Sequence, residues 1–278
     1  MRDNAATVTG VTAESQARAP RDSSLSSVRN AARLLKEFES PHRLIGVTDL
    51  SRRLHISKST AHRLLHTLCE EGLLSQDDAT GAYYLSTEMF ILGCAAPVVA
   101  DVRSASAPVI EQVRNWTRET VEVSMLDQID VVSVVRREGQ QPRPRLSPVG
   151  VRRPATSTIS GLILLAHLPE PRLEDLLGTW SPSSTDRISD LHDLRQTLTS
   201  MRAHTWVDTT QHPIDTPEDS ASVVAPVRDA HGGVVATICV TGPSQRFGAD
   251  ARSAVVRATM DGARTISQRL GYRDRSGA

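Results

Sequence analysis

The stretch that decides the N-terminal fold reads Leu50-Ser-Arg-Arg-Leu-His-Ile-Ser-Lys-Ser-Thr-Ala-His-Arg-Leu-Leu-His-Thr-Leu68. In its second half, apolar residues recur at spacings of three and four, which predicts a helix from Lys58 to about Glu71 with one buried face. Ser57 is a suitable N-cap for this helix, and Gly72 is a typical residue to end it. The first half predicts a shorter helix. Two helices joined by a tight turn indicate a helix-turn-helix.

The neighbouring segments complete a winged helix. The shorter helix is expected to begin at Thr48 as its cap and to run to about His55. Upstream, the apolar spacing predicts a helix over residues 26–39, which Ser40-Pro41 ends. Downstream, two strand-like runs flank a polar turn at residues 77–81 and predict a β-hairpin. Three helices followed by a hairpin predict a winged helix-turn-helix.

Polar side chains cover the other side of the predicted third helix. Cations there alternate with short hydroxyl residues, the types that contact base edges and phosphates at the start of a recognition helix. The candidate DNA contacts are Arg29, Arg52, Ser57, Lys58, Ser59, Thr60, His62, Arg63 and Tyr83. The alternatives are an amphipathic helix with a solvated polar face and a helix that docks onto a protein. A docking helix normally presents aromatic or aliphatic anchors, which this face lacks.

Composition limits the other possibilities. The formal net charge is +0, so a DNA-binding protein of this composition must concentrate its positive charge on one face. The 3 cysteines are widely spaced, which argues against a disulfide framework or a structural zinc site and favours a reducing compartment. The longest apolar run, residues 89–100, contains Pro97 and is shorter than the about 20 residues that a bilayer requires. We therefore expect a soluble, cytoplasmic protein.

The remainder of the chain predicts a mixed domain. A linker helix that is bent or ended near Pro97 is expected from Thr87 to about Val99, and another helix from Val102 to about Thr120. Strand and helix patterns follow in one continuous block, which predicts an α+β domain whose sheet is covered by helices on one face. The predicted strands are 121–126, 130–136, 206–208, 221–227 and 234–241, and the predicted helices are 159–167, 172–177, 191–203 and 249–270.

Two sets of motifs run along the chain in a fixed order. The first set is Ser27-Val-Arg-Asn-Ala-Ala-Arg-Leu-Leu35, Asp49-Leu-Ser-Arg-Arg-Leu54, Ser57-Lys-Ser-Thr-Ala-His-Arg-Leu-Leu65 and Thr80-Gly-Ala-Tyr-Tyr-Leu85. The second set is Leu92-Gly93, Thr158-x-x-Gly161, Ala225-Pro226-Val227 and Val240-Thr-Gly-Pro-Ser244. Over roughly residues 25–271 the chain thus resembles the IclR family of bacterial transcription regulators. The resemblance implies a sequence-specific DNA-binding regulator whose operator affinity is modulated by a small-molecule effector, often an organic acid.

The expected fold class is α+β, with an N-terminal winged helix-turn-helix and, as the resemblance implies, a C-terminal GAF-like α/β effector-binding domain. The expected organisation is a disordered tail (1–24), the DNA-binding domain (25–86), a linker helix (87–101), the effector-binding domain (102–271) and a second tail (272–278).

The resemblance also implies which residues line the effector pocket. These are Met125, Leu146, Ser157, Thr158, Ile159, Ser160, Asp208, Ser222, Cys239 and Thr241. A segment rich in Ser and Thr that opens a helix offers backbone N–H groups and hydroxyls to a carboxylate, although a plain helix cap explains the same residues. The chain departs from the family in having Thr156 in place of a frequent His and Ser222 in place of a frequent Cys. The wing likewise carries Ser75, Gln76 and Ala82 where basic residues are common.

The sequence gives little support for an enzyme. It has no G-x-S-x-G elbow, no H-E-x-x-H motif and no glycine-rich phosphate loop. Pairs such as His212 with Asp215, or Asp127 with Asp130, are more typical of solvated surface groups than of a metal site. We expect no catalytic residues, no cofactor and no metal.

Two-fold symmetry is the expected basis of operator recognition. A homodimer, or a homotetramer built from it, would place two recognition helices on a pseudo-palindromic operator whose half-sites lie one helical turn, about 34–36 Å, or a multiple of it apart. The candidate residues for the dimer seam are Leu34, Leu35, Met89, Ile91 and Leu92, for which core burial is the alternative.

Overall fold

The computed structural model describes residues 25–39, 44–140, 149–182, 188, 190–209 and 220–273. The chain divides into two compact units, Met1–Leu85 and Ser86–Ala278, called here the first and the second unit. The expected tail over residues 1–24 and the predicted pocket residue Leu146 lie outside the described residues.

The first unit is a winged helix, as predicted. Its elements are α1 (Ser26–Lys36, followed by a 3-10 turn at Glu37–Glu39), α2 (Val47–Leu54), α3 (Lys58–Glu70), β1 (Leu74–Gln76) and β2 (Tyr83–Leu85). The predicted cap of α2 is wrong, because Gly46 stands at the N-cap and Thr48 lies in the first turn. His55 ends α2 in the left-handed conformation, with φ of 53°, and thereby turns the chain toward α3.

Apolar side chains from all the elements of the first unit form one core. Its buried members are Leu34, Phe38, Ile45, Leu50, Leu54, Leu65, Leu68, Leu74 and Tyr83. Ala61 is fully buried, and its small side chain lets α2 and α3 pack closely. Leu34 is fully buried here as well, so its assignment to a dimer seam was wrong and core burial is its role.

The second unit begins with two helices that meet at a sharp bend. They are α4 (Thr87–Cys94) and α5 (Pro97–Thr117), and they bend by 89° at the break between them. The predicted break near Pro97 is confirmed, whereas the predicted start of the next helix at Val102 was wrong, because residues 97–101 belong to α5. The reason is Pro97, which lacks an N–H and so suits the first turn of a helix better than its interior.

A six-stranded antiparallel sheet follows, in the order β5-β4-β3-β8-β7-β6. Its strands are β3 (Thr120–Asp127), β4 (Asp130–Arg137), β5 (Arg152–Pro154), β6 (Val207–Asp208), β7 (Ser220–Arg228) and β8 (Val234–Pro243). The short strand β5 was not predicted, since three residues that include a proline carry no alternating pattern. The remaining helices are α6 (Ile159–Ala166), α7 (Glu170–Leu177), α8 (Leu191–Arg202) and α9 (Ala249–Arg269).

Helices cover both faces of this sheet, not one face as predicted. The α9 face packs against α5 and α9, and the α6 face packs against α6, α7 and α8. Strand β7 illustrates the burial of both faces. Its residues 221–225 are all buried, and the neighbours Val223 and Val224 belong to the cores on opposite faces of the sheet. A strand buried on both faces loses the alternation that marks a half-exposed one.

Gly161 sets how closely α6 approaches the turn before it. A Cβ at this position would overlap the backbone of Ala155, which no flexible side chain could relieve. We expect Gly161→Ala to lower the free energy of unfolding by about 1–3 kcal/mol, the usual cost of overpacking a core. Urea denaturation of the full chain, followed by circular dichroism, measures this change.

The matched control is Gly93→Ala on α4, where a Cβ meets nothing within 4 Å. Alanine favours a helix over glycine by up to about 1 kcal/mol, so this variant should be as stable as the wild type or more so. Equal stability of both variants would contradict the close approach at Gly161.

Candidate DNA-binding face and effector pocket

The start of α3 is fixed by a cluster of hydroxyl groups. Ser57 caps the helix, as predicted, by accepting a hydrogen bond from the backbone N–H of Thr60 at 3.1 Å. Its Oγ also lies 2.9 Å from the Ser59 Oγ and 2.8 Å from the Thr60 Oγ1. All three side chains are exposed. The hydroxyls that the sequence assigned to DNA therefore lie together on the surface at the positive end of a helix.

Two cations on α3 are available for a polyanion. Lys58 and Arg63 are exposed, and no described carboxylate lies within ion-pair distance of either. The cations of α2 are different, because Arg52 pairs with Asp49 and Arg53 lies 3.5 Å from Glu37. Of the cations on α2 and α3, those without a described ion pair are therefore Lys58 and Arg63 on α3.

Two histidines extend the same face along the helix. The rings of His62 and His66 are stacked, with centroids 6.4 Å apart. His66 Nδ1 lies 3.2 Å from an oxygen of Glu70, which ties it toward the C-terminal end of α3. His62 lies nearer the N-terminal end, beside Arg63 and away from the acid, where a recognition helix contacts base edges.

Tyr83 is not a DNA contact, and that prediction was wrong. Its side chain is 4% exposed and belongs to the core of the first unit, while its backbone pairs with Ile45. The next residue, Tyr84, points outward, as expected for neighbours on a strand.

The turn of the wing is acidic. Asp77 accepts hydrogen bonds from the side chain and the backbone of Thr80, and these bonds lower the pKa of its carboxyl. Arg29 is exposed on α1.

In the second unit, the residues that open α6 are used as caps. Thr158 is the N-cap and accepts from the backbone N–H of Gly161 at 3.0 Å, and Ser157 donates to the carbonyl of Pro154 at 2.8 Å. Ile159 and Ser160 are buried, with Ile159 in the core under α6. The plain cap that the sequence left open therefore describes Thr158, whereas the Ser157 hydroxyl holds the 3-10 turn that precedes α6.

Three of the predicted pocket residues come together on the α6 face. Ser222 and Thr241 are opposite each other on β7 and β8, and their hydroxyl oxygens are 2.7 Å apart. Cys239 lies two residues before Thr241, with its sulfur 3.3 Å from the Thr241 Oγ1. Burial raises the pKa of the Cys239 thiol to about 11, so the group is neutral at physiological pH.

Two other predicted pocket residues lie on the opposite face. Asp208 is fully buried, pairs with Arg252 of α9, and is in register with Val223 of the α9-face core. Met125 packs against the same core, whereas its neighbour Leu126 packs against the core under α6. Side chains alternate along a strand, so a shift of one residue changes the face. Asp208 and Met125 therefore do not lie beside Ser222, Cys239 and Thr241, and their place in an effector pocket stays a prediction.

The structure adds a charged cluster that the sequence analysis missed. Glu122 is in register with Cys239 on the α6 face, and its carboxylate faces Arg136 of β4 and Arg153 of β5. The local signal was present, since Thr120, Glu122 and Ser124 alternate with valines on β3. Such a pattern is typical of a strand with one face exposed to solvent. The structure shows instead that α6 and its neighbours cover this face, so the charged residues form a cluster inside the domain.

Comparison with known proteins identifies the chain. The family model described as the helix-turn-helix domain of IclR matches residues 27–78, and the model described as the C-terminal domain of the bacterial transcriptional regulator IclR matches residues 94–268. The chain belongs to the IclR family. It is accordingly a transcription regulator with an N-terminal DNA-binding helix-turn-helix and a C-terminal effector-binding domain.

IclR regulators of several organisms are similar over their whole length. The HTH-type transcriptional regulator KdgR of Escherichia coli is 28% identical over 253 residues, which cover 90% of this chain and 95% of the relative. The glycerol operon regulatory protein of Streptomyces coelicolor is 27% identical, over 89% of this chain and 97% of the relative. A crystal structure of an IclR homolog of Microbacterium hydrocarbonoxydans, complexed with 4-hydroxybenzoate, shares the fold with a TM-score of 0.75 and 23% identity, over 88% of this chain and 99% of that chain.

The described residues offer little support for other kinds of site. No group of three His, Cys, Asp or Glu side chains there could hold a metal ion. Asp127 instead pairs with Arg152, while His212 and Asp215 lie outside the described residues. No single described helix is long and apolar enough to cross a bilayer, and α4 with α5 meets that test only as a bent pair.

The buried pair of Asp208 and Arg252 gives a stability prediction. Arg252→Ala leaves the fully buried Asp208 without its cation, so we expect the free energy of unfolding to fall by about 3 kcal/mol. Asp208→Ala should cost less, because the Arg252 side chain is 28% exposed and can be solvated. Urea denaturation measures each variant and the double variant, whose loss should be smaller than the sum.

Arg264→Ala on the same helix is the matched control. Its partner Asp261 is exposed, so the loss should stay below about 1 kcal/mol. An Asp208→Ala variant with unchanged stability and a lost effector response would contradict this structural role and support Asp208 as a pocket residue.

Proposed function

We propose that this IclR regulator binds a double-stranded DNA operator through α3 and that a small organic acid in the second unit changes its operator affinity. In this proposal residues 25–86 form the DNA-binding domain and residues 102–271 the effector-binding domain. The protein acts by binding alone, without catalysis, cofactor or metal, and meets its operator in the cytoplasm.

The observation that carries the DNA-binding proposal is the contrast between the two sides of α3. Its inner side is anchored by Ala61, Leu65 and Leu68 in the core of the first unit. Its outer side presents Lys58 and Arg63, with no described carboxylate within ion-pair distance of either. This face lacks the large apolar side chains of a protein-docking helix, which favours DNA over a protein partner.

Exposed apolar side chains near the start of the second unit support assembly into a homodimer, or into a homotetramer built from dimers. Phe90, Ile91 and Leu92 on α4 are 65%, 54% and 52% exposed, and Val98 on α5 is 56% exposed. A cluster of this kind marks a binding surface on a soluble protein. Ile91 and Leu92 thus remain candidates for the seam. A two-fold dimer predicts a pseudo-palindromic operator.

The effector can act only through a difference in affinity between two states of the regulator. Typical coupling of this kind amounts to about 1–3 kcal/mol, or 5- to 150-fold in operator affinity. Two observations support an organic acid as the effector. Polar groups lie on the α6 face, and the Microbacterium homolog was crystallised with 4-hydroxybenzoate, which is an organic acid.

Selection of genomic fragments with the purified full chain tests the DNA-binding proposal. We expect a short pseudo-palindromic site to be enriched by the wild type and lost by the Lys58→Ala, Arg63→Ala double variant. On the selected site, Arg63→Ala alone should cost about 1–3 kcal/mol and relax the preference at one base pair, as expected for an arginine that contacts guanine. Fluorescence anisotropy across a salt series measures both effects.

The control is Arg195→Ala on α8, which removes an equal charge from a cation already paired with Glu174. It should leave operator affinity and its salt dependence unchanged. Recovery of the same site by the double variant, or enrichment of no site by a folded wild type, would contradict the proposal.

A further inference from the structure

The Glu122 cluster, defined as Glu122, Arg136 and Arg153, places charge inside the second unit. The Glu122 Oε1 accepts from the Ser124 hydroxyl at 2.8 Å and from Arg153 Nη2 at 3.3 Å. Its Oε2 lies 3.7 Å from Arg136 Nη1. Buried charge is costly unless it is paired, and here one carboxylate faces two guanidinium groups.

Arg153 is the most exposed side chain of the cluster. Its side chain is 33% exposed, against 11% for Glu122 and 5% for Arg136. Arg136 is also engaged by Glu138, at 2.9 and 3.2 Å. Among the described residues, Arg153 makes one hydrogen bond, to Glu122, whereas a guanidinium has five N–H donors. The accessible part of the cluster is therefore cationic and has donors that no described residue uses.

The surroundings of Arg153 are suited to an anion. Cys239 and Thr241 lie on β8, a central strand of the sheet. Both residues are nevertheless partly exposed to solvent, which indicates an opening over the centre of the sheet. Arg153 lies close enough to Cys239 for its charge to act on the thiol and lower its pKa, although burial outweighs this effect. The thiol stays neutral, so it does not repel an anion, and the Ser222 and Thr241 hydroxyls supply further hydrogen bonds.

We propose that Arg153 binds the carboxylate of the effector and that Glu122 positions its guanidinium for this contact. Glu122 occupies one nitrogen of the guanidinium, which leaves an edge for a bidentate carboxylate. The second arginine shares the charge of Glu122, so a further carboxylate on Arg153 stays favourable. The pocket thereby selects a carboxylic acid over its neutral amide. This inference rests on the proposed effector response and names the chemical class and the residue responsible.

The test compares three hydroxylated acids of increasing size with their amides: lactate, gluconate and 4-hydroxybenzoate against lactamide, gluconamide and 4-hydroxybenzamide. Isothermal titration and thermal shift on the full chain measure binding. We expect at least one acid to bind the wild type while its amide does not. Arg153→Gln should weaken that acid by about 10- to 100-fold, the usual loss for a hydrogen bond to a charged group. Arg153→Lys keeps the charge but loses the bidentate edge, so its affinity should be intermediate.

Arg152→Gln is the matched control, since it removes the same charge from the neighbouring residue. Arg152 pairs with Asp127 and lies in register with Val132, one position away from the α6 face, so acid affinity should stay at the wild-type value. The inference is overturned if no acid binds, if an amide binds as tightly as its acid, or if Arg153→Gln binds like the wild type.

Operator binding measured in the same samples separates this inference from the proposed function. Operator recognition without acid binding refutes the role of Arg153 and leaves the DNA-binding function intact. Acid binding that depends on Arg153 but does not change operator affinity supports the inference and refutes the effector response.

Discussion

The strict alternation of side chains along the central strands is the constraint on which the second unit depends. Because helices cover both faces of the sheet, every residue of β3, β7 and β8 must suit one of two different environments. Val123 and Val223 pack under α5 and α9, whereas Glu122 and Ser222 lie on the α6 face. A change of register by one residue would bury the charged cluster in an apolar core, so the same alternation that forms the core also specifies the pocket.

A comparable division organises α3 in the first unit. The helix is short, and its fixed position comes from packing of its inner side and from the Ser57 cap, not from helix propensity alone. A rigidly held helix can direct Arg63 and His62 at a groove with little loss of side-chain and backbone entropy on binding. Local packing in the core thus prepares the surface that the proposal assigns to DNA.

The sequence predicted the features that depend on local pattern. The helices of the first unit, the Ser57 cap and the outer face of α3 follow from spacing within about 20 residues, and these predictions agree with the structure. The pocket depends on contacts between distant residues, and there the predictions were mixed. Ser222, Cys239 and Thr241 come together, whereas Asp208 and Met125 lie on the opposite face of the sheet. Strand patterns alone could not fix which face each residue shares.

The Glu122 cluster shows the same limit more sharply. Arg153 pairs with Glu122, 31 positions away in the sequence. It lies on β5, whose three residues show no alternating pattern from which a strand could be predicted. A single sequence contains both charges but not the fold that pairs them. The helix break near Pro97, by contrast, was predicted from the sequence, and the error there was to begin the next helix at Val102 instead of at the proline.

The most direct test of the account is DNA cleavage from a reagent placed on α3. Thr67 is exposed one turn beyond Arg63, and Cys94 is the exposed cysteine among the 3 in the chain, so a Thr67→Cys, Cys94→Ser variant can carry an iron chelate at a defined point. We expect strand cleavage in two clusters that are related by the symmetry of the operator and separated by one helical turn or a multiple of it. As a control, a Thr199→Cys, Cys94→Ser variant, which carries the chelate on α8, should give a different cleavage pattern or none. Absence of cleavage from Thr67→Cys on a bound operator would contradict the role of α3.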